Sequence, residues 1–384
     1  MKKIVHIAYE HKYSDGRIVK KECCSLVQKG YEVTFVTSNK NGNTEEKNFQ
    51  GVELMVVPLS GRRGIRLFNY IRQIKKVIKS LDADVYHIHE FVLLPLVPYL
   101  YRINKKVIYD MHENFPLQYQ DSIALKCGKF IGKIAGKILL EYENRKMCKA
   151  SGTIVVSTTN NALNRAKKFC GNAEMIRNFP LLEKERSHLR SFEEYEACWG
   201  NLCFVGGIEE TWCHEFLLQG IEHINDVKYY VAGPRTPEYL SRLKKMNAWK
   251  KVVDLSVISS GEVKQLYDQS YMGIALADYI GNLGYTEGTW GNTKLFEYMY
   301  AGLPIICTDF DIWTEIVKRG ECGIAVNAHN SKEIYEAIIY LLENPKKAFE
   351  MGQRGRNLVL EQYNWSKEEP KLYKIYEQIL RKVD

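Results

Sequence analysis

The sequence predicts an α/β protein built from two parallel-sheet domains of similar size. Three observations carry that reading. Short β-branched runs alternate with stretches of helical spacing, the rhythm of right-handed βαβ units. The rhythm halts in a polar, charged segment, Asn178 to Gly200, and then restarts. The 384 residues also suit more than one domain, since a domain takes roughly 100–200.

In the first half, Ile4–Ala8 reads as a strand buried on both faces. Arg17–Lys29 has helical spacing and stops at Gly30. Strands follow at Glu32–Ser38 and Val52–Val57, then an amphipathic helix at Leu67–Leu81, then strands at Asp84–His89 and Lys106–Tyr109. A long helix is predicted over Gly128–Lys149 and a strand over Thr153–Ser157. In the second half, Asn201–Val205 precedes Gly206-Gly207, and Lys228–Ala232 precedes Gly233-Pro234. Val252–Leu255, Gly273–Ala277, Pro304–Cys307 and Gly323–Val326 are further strands. Glu333 to the C-terminus is helical.

Composition removes several classes. Apolar residues at 45% and charged residues at 26% exclude a disordered or low-complexity chain. The longest apolar run, Phe91–Tyr101, carries Pro95 and Pro98 and is too short to span a bilayer. Lys2 and Lys3 precede only a brief apolar stretch, so no signal peptide is expected and the expected location is the cytoplasm. The ten cysteines form no CxxC pair and read as reduced thiols. Residues 1–190 hold 33 Lys+Arg against 18 Asp+Glu, net +15. The remainder holds 21 against 28, net −7, and the two sum to the chain's +8. A basic half joined to an acidic half points to domains with different partners.

Several motifs are absent. No Gly-x-Gly-x-x-Gly follows the first strand, and there is no phosphate loop of the Gly-x4-Gly-Lys type and no Gly-x-Ser-x-Gly elbow. His87 and His89, alternate residues of one strand, share a face, but no zinc spacing accompanies them, so no metal is expected. The basic half lacks any nucleic-acid module, so no nucleic-acid partner is expected.

The most informative segment is 285–309. A Gly-rich loop leads into a helix from about Asn292 to Tyr300, then Gly302-Leu303-Pro304 and a strand. Asn292 or Thr293 can cap that helix. Its free N–H groups and positive dipole end make an anion site at a strand edge. Lys294 in the first turn sits where a lysine calls for an anionic partner. Glu297, on the same face as Thr293, could accept hydrogen bonds from a sugar diol. A capped surface helix with solvated Lys294 and Glu297 is the plainer alternative.

Asn292-Thr-Lys-Leu-Phe-Glu-Tyr-Met-x-Ala-Gly-Leu-Pro304 closely resembles the donor signature of family 4 glycosyltransferases. Ser14-Asp-Gly-Arg17, Lys29-Gly-Tyr-Glu-Val-Thr34, Tyr109-Asp-Met-His-Glu113, Arg177-Asn-Phe-Pro180, Phe204-Val-Gly-Gly-Ile208, Val231-Ala-Gly-Pro234 and Tyr363-Asn-Trp-Ser366 resemble further family segments in order. The resemblance implies a GT-B fold, two Rossmann-like domains facing a central cleft. Their expected extents are 1–180 and 201–366, with a 181–200 linker and a C-terminal helix, 367–384, crossing back. It implies retaining transfer of a hexose-type sugar from a nucleoside diphosphate to an acceptor hydroxyl. Glu297 would hold the ribose; Asn292, Thr293, Lys294, Gly206, Gly207 and Glu287 would meet the rest of the donor. His112 would face the reacting sugar as a catalytic residue with Glu297. His11, Asp15, Arg17, His89 and Glu113 would border the acceptor. The nucleotide sugar is then a substrate, and no cofactor or metal is expected. Two positions depart from the family pattern. Thr289 stands where the first of two paired glutamates is usual, with Glu287 nearby, and no basic residue follows Gly206-Gly207. Lys294 or Arg17 would have to replace that missing cation.

Lys126, Lys129, Lys133 and Lys137 read as one stripe on one helix, and Arg62, Arg63 and Arg66 begin a second basic cluster. Solvated faces, or docking to an anionic membrane surface near a glycan or lipid-linked acceptor, both account for them. That would make the chain a peripheral protein of the inner membrane face, in capsule or lipopolysaccharide assembly. An epimerase acting on the nucleotide sugar, or a degenerate transferase serving as scaffold or sensor, stand as alternatives.

Overall fold

The computed structural model describes residues 1–41, 47–62, 64–156, 160–182 and 190–381. It divides into two compact units, residues 1–178 with 365–384, and residues 179–364.

The first unit contains β1 (Lys3–Ile7), β2 (Glu32–Ser38), β3 (Asn48–Phe49), β4 (Val52–Val57), β5 (Val85–His89), β6 (Lys106–Met111), β7 (Gly152–Val155) and β8 (Ala173–Met175). They form one sheet in the order β3-β4-β2-β1-β5-β6-β7-β8. Every neighbouring pair is parallel except β3–β4. That antiparallel edge departs from the expected rhythm and has a local cause. Gln50 (φ 49°) and Gly51 (φ 89°) both occupy left-handed backbone, the two-residue turn that fits a hairpin. The central strands are apolar on both faces because helices cover both.

The stretch before the long helix also departs from expectation. Phe115–Cys127 is a helix of its own, and the long helix runs Lys129–Met147. Gly128, at φ 92°, ends the first and starts the second. Lys126 therefore lies on the earlier helix, and only Lys129, Lys133 and Lys137 share a stripe. The two helices pack closely because Gly132 and Gly136 meet Gln120 and Ala124 with no room for a Cβ. The C-terminal helix, Trp365–Leu380, lies on this unit's sheet. Trp365 Nε1 donates to Ser25 Oγ at 2.9 Å, and Ile375 and Ile379 fill the space over Gly152.

The second unit contains β9 (Asn201–Val205), β10 (Lys228–Ala232), β11 (Val252–Asp254), β12 (Met272–Ala275), β13 (Ile305–Thr308) and β14 (Gly323–Val326). All neighbours are parallel, in the order β11-β10-β9-β12-β13-β14. Part of the expected 181–200 linker, 183–189, lies outside the described residues; Phe192–Glu196 is a helix that buries Tyr195 in the second unit. Among the described residues no helix is long and apolar enough to cross a membrane.

Strand order reverses direction between β1 and β5 in one unit and between β9 and β12 in the other. In open parallel sheets, ligands bind beyond the strand carboxyl ends at such switch points. Both groups of predicted site residues sit there.

Candidate active site

In the second unit, β9 runs into Gly206-Gly207. Gly233, at φ 141° after β10, comes so close to the Gly206 carbonyl that no side chain fits between them. Gly206 likewise has no room for a Cβ, because Lys294 occupies that space. The adjacent helix is Thr293–Tyr300. Asn292 is its cap, accepting from the Lys294 backbone N–H at 3.0 Å, while its own Nδ2 is buried without a partner. The first-turn amides and an unused amide donor thus converge at one strand edge.

Lys294 Nζ lies 3.6 Å from the centre of the Trp212 ring and 5.4 Å from that of Phe204. Burial pushes this ammonium down to about 8, partly opposed by the charges of Glu297 and Glu209. A desolvated cation at a helix N-terminus gains most from an anion placed against both. Glu297, one turn on, is held by Tyr267, whose hydroxyl donates to Oε2 at 3.1 Å. Thr293 is half-buried beside it. Thr289 is buried, with its hydroxyl accepting from Gly291 N–H at 2.9 Å and its carbonyl accepting from Trp313 Nε1 at 2.8 Å. A compact residue fits that turn. Glu287 lies two residues earlier, half-buried, and its carbonyl accepts from the Ile312 amide at 3.1 Å.

In the first unit, Glu90 follows β5 with φ 78° and ψ 140°, a conformation costly for any side chain. Its carboxylate accepts from the amides of Tyr9 at 2.6 Å and Glu10 at 2.7 Å, which fixes the loop after β1. In that loop His11 Nδ1 lies 2.9 Å from Asp15 Oδ2, and Asp15 Oδ1 accepts from the amides of Arg17 and Ile18 at 2.8 Å. Burial alone would lower the His11 pKa and raise that of Asp15, but their mutual hydrogen bond and charge win, raising His11 and lowering Asp15. The next turn, Ile18–Cys23, is π-helical, a form common at functional sites.

His112 follows β6 and is half-buried. Its Nε2 lies 3.0 Å from Asp110 Oδ2 and 3.0 Å from His89 Nδ1. Glu113 beside it is exposed. Arg17 and His89, predicted at the acceptor side, are interior. Arg17 Nη2 lies 2.7 Å from Glu22 Oε1 and 3.6 Å from Asp110 Oδ2, so its charge is already engaged. His89 belongs to a fully buried group with His6, His87, Asp110, Glu22 and Tyr376. Strand register assembles it: His6 pairs with His87 across β1 and β5, and His89 with Asp110 across β5 and β6.

The described residues hold three sets that could surround a cation. His6, Glu22, His87 and His89 form one; His89, Asp110 and His112 another; Cys213, Asp278 and His329 a third, each with donor atoms within 4.8 Å of one another. Linear spacing could not show them, because each draws on separate elements. In the first set the Arg17 guanidinium against Glu22 opposes a cation.

The basic residues lie apart from both clusters in sequence. Lys126, Lys129, Lys133, Lys137, Arg62 and Arg66 are exposed, and Arg63 lies outside the described residues. Residues that sequence reasoning passed over are Asp110, Glu22, His6, Tyr376, Glu90, Trp212 and Tyr267.

Two family models match the chain. "Glycosyltransferase Family 4" covers residues 16–174 and "Glycosyl transferases group 1" covers residues 201–358. An uncharacterized glycosyltransferase of Methanocaldococcus jannaschii is 26% identical over 191 residues, 47% of this chain. The match spans 45% of that relative, less than half its length. Sucrose-phosphate synthase of Thermosynechococcus elongatus superposes with a TM-score of 0.78 at 15% identity, covering 99% of each chain. HepE of Anabaena, solved with UDP-glucose, gives 0.72 at 10% identity, covering 98% of this chain and 100% of its own. Identities this low establish the shared fold alone.

Proposed function

Since this chain belongs to the family 4 type of glycosyltransferases, with the GT-B fold, we propose that it transfers a hexose-type sugar from a nucleoside diphosphate to a glycan or lipid-linked acceptor, with retention at the anomeric carbon. The observation that carries this is the second unit's helix end. Asn292, Lys294 and the first-turn amides converge beside side-chain-free Gly206, and Glu297 waits one turn away. HepE's complex with UDP-glucose supports a nucleotide sugar as the ligand class.

In this reading the glycosidic bond to the diphosphate breaks, the acceptor oxygen bonds the same carbon, and the hydroxyl proton is released. Negative charge grows on the departing diphosphate. The helix dipole and Lys294 stabilise it, and their low-polarity surroundings strengthen that effect. Lys294 replaces the cation missing after Gly207. Glu297 accepts from the ribose hydroxyls, with Tyr267 fixing its carboxylate. His112 takes the sugar side.

The test is a transfer assay with UDP- and GDP-hexoses and a lipid-linked oligosaccharide acceptor, with NMR of the product anomer. A retained configuration supports the reading. An inverted one contradicts it. Conversion of the nucleotide sugar without any acceptor would favour an epimerase.

A membrane-surface acceptor is favoured by one further observation. On helix Lys129–Met147, Phe130, Ile131, Ile134 and Ile138 are exposed, Phe130 by 77%, beside exposed Lys129, Lys133 and Lys137. Apolar groups flanked by lysines are what an interfacial helix presents to anionic headgroups.

A further inference from the structure

We infer that Asp110 is a positioning residue that holds the proton of His112 on Nε2 and so fixes the tautomer of this ring. That this ring meets a sugar rests on the glycosyltransferase reading; the tautomer does not.

The hydrogens around Asp110 can be counted. Asp110 Oδ2 lies 3.0 Å from His112 Nε2 and 3.2 Å from His89 Nδ1. His112 and Arg17 outweigh the cost of burial and keep this carboxyl well below the usual range, so it is ionised and brings no hydrogen. Both facing nitrogens must then carry one. The two nitrogens are also 3.0 Å apart, but a bond from His89 to a bare His112 Nε2 would set that lone pair against the carboxylate.

The other rings and Tyr376 donate in one direction, leaving only His87 Nε2 among them buried without a hydrogen-bond partner. Burial pushes His89 down to about 4, so it is neutral and its Nε2 is bare. That nitrogen accepts from His6 Nδ1 at 2.9 Å. His6, also kept neutral by burial, has a bare Nε2 that accepts from the Tyr376 hydroxyl at 3.1 Å. The Tyr376 oxygen accepts from His87 Nδ1 at 2.7 Å. Each ring carries one hydrogen, and each is used in one direction, ending on Asp110. Such one-way chains polarise each member and stiffen the group. The chain joins β1, β5, β6 and the C-terminal helix, while the contact that sets the His112 tautomer is the one from Asp110. A cation among His6, His87, His89 and Glu22 would compete for the same lone pairs and would face Arg17.

The test is ¹⁵N NMR of the histidine rings in the full chain, with the His112 signal assigned by its loss in His112→Gln. Wild type should show the Nε2–H tautomer at a pH where the ring is neutral. Asp110→Asn, which can turn an amide donor toward the rings, should mix the tautomers. It should lower kcat about 100-fold, with nucleoside diphosphate binding unchanged. Tyr376→Phe cuts the chain beyond His6 and should leave the His112 tautomer in place. Should Asp110→Asn fail to fold, the wild-type tautomer and Tyr376→Phe still decide. An Nδ1–H tautomer in wild type would overturn the inference. So would an unchanged tautomer in Asp110→Asn. If wild type transfers no sugar, the glycosyltransferase reading fails, while the ring spectrum still decides the tautomer.

Discussion

A carboxylate at position 297 and an ammonium at position 294 share one face of a short helix, and the two should respond differently when altered. Glu297→Ala should keep the fold, since its side chain is half-buried and held by Tyr267. It should lose about 2 kcal/mol or more of nucleotide binding, the worth of charge-assisted hydrogen bonds, as calorimetric titration would show. Lys294 is cationic below about 8 and neutral above it. Its attraction for a diphosphate is therefore present at pH 7 and lost as pH rises through that value. Binding measured from pH 7 to 9.5 should weaken in wild type and stay nearly flat in Lys294→Met. A flat wild-type profile would remove Lys294 from the phosphate site. The helix, its Asn292 cap and these two residues were legible in sequence, because capping and dipole rules act over a few neighbours. The buried histidine group was not. Its members lie on strands and a helix far apart in the chain, and only register brings His6 beside His87 and His89 beside Asp110.

The loops and helices carry their own consequences. Gly206 is bare because Lys294 fills the space a side chain would take. Gly206→Val strains the backbone at φ 157° and should also drive Lys294 off Trp212, weakening diphosphate binding beyond its cost in stability, which titration alongside thermal melting would separate. Equal loss of both would show that the glycine serves the fold alone. Helix Lys129–Met147 should bind vesicles containing anionic lipid. Replacing Lys129, Lys133 and Lys137 by Gln should release it, at about 1 kcal/mol per lysine. Binding to neutral vesicles with equal strength would mean that the apolar residues act alone. Most strand positions were legible from β-branched runs. The helix before Gly128, Phe115–Cys127, was not, because Pro116 is its only fully buried residue and no apolar face marks it in sequence. The β3 hairpin escaped for a similar reason: a two-residue strand is too short to carry a pattern.

Across the whole molecule, the last helix belongs to the first unit although it follows the second in sequence. It buries Trp365, Leu372, Ile375, Tyr376 and Ile379. At roughly 1.5–3 kcal/mol each, these contacts are comparable with the entire stability of a domain, about 5–15 kcal/mol. Ending the chain at Asn364 should unfold the first unit and leave the second able to bind nucleotide, a separation that hydrogen exchange would resolve. The central claim is that the second unit is a nucleoside diphosphate site. A thermal melt of the full chain against UDP, GDP and ADP, without added metal, tests it most directly. One diphosphate at a hundred times its dissociation constant should stabilise wild type by about 2.7 kcal/mol and leave Glu297→Ala nearly unmoved. No shift with any nucleotide, or an equal shift in the variant, would contradict it.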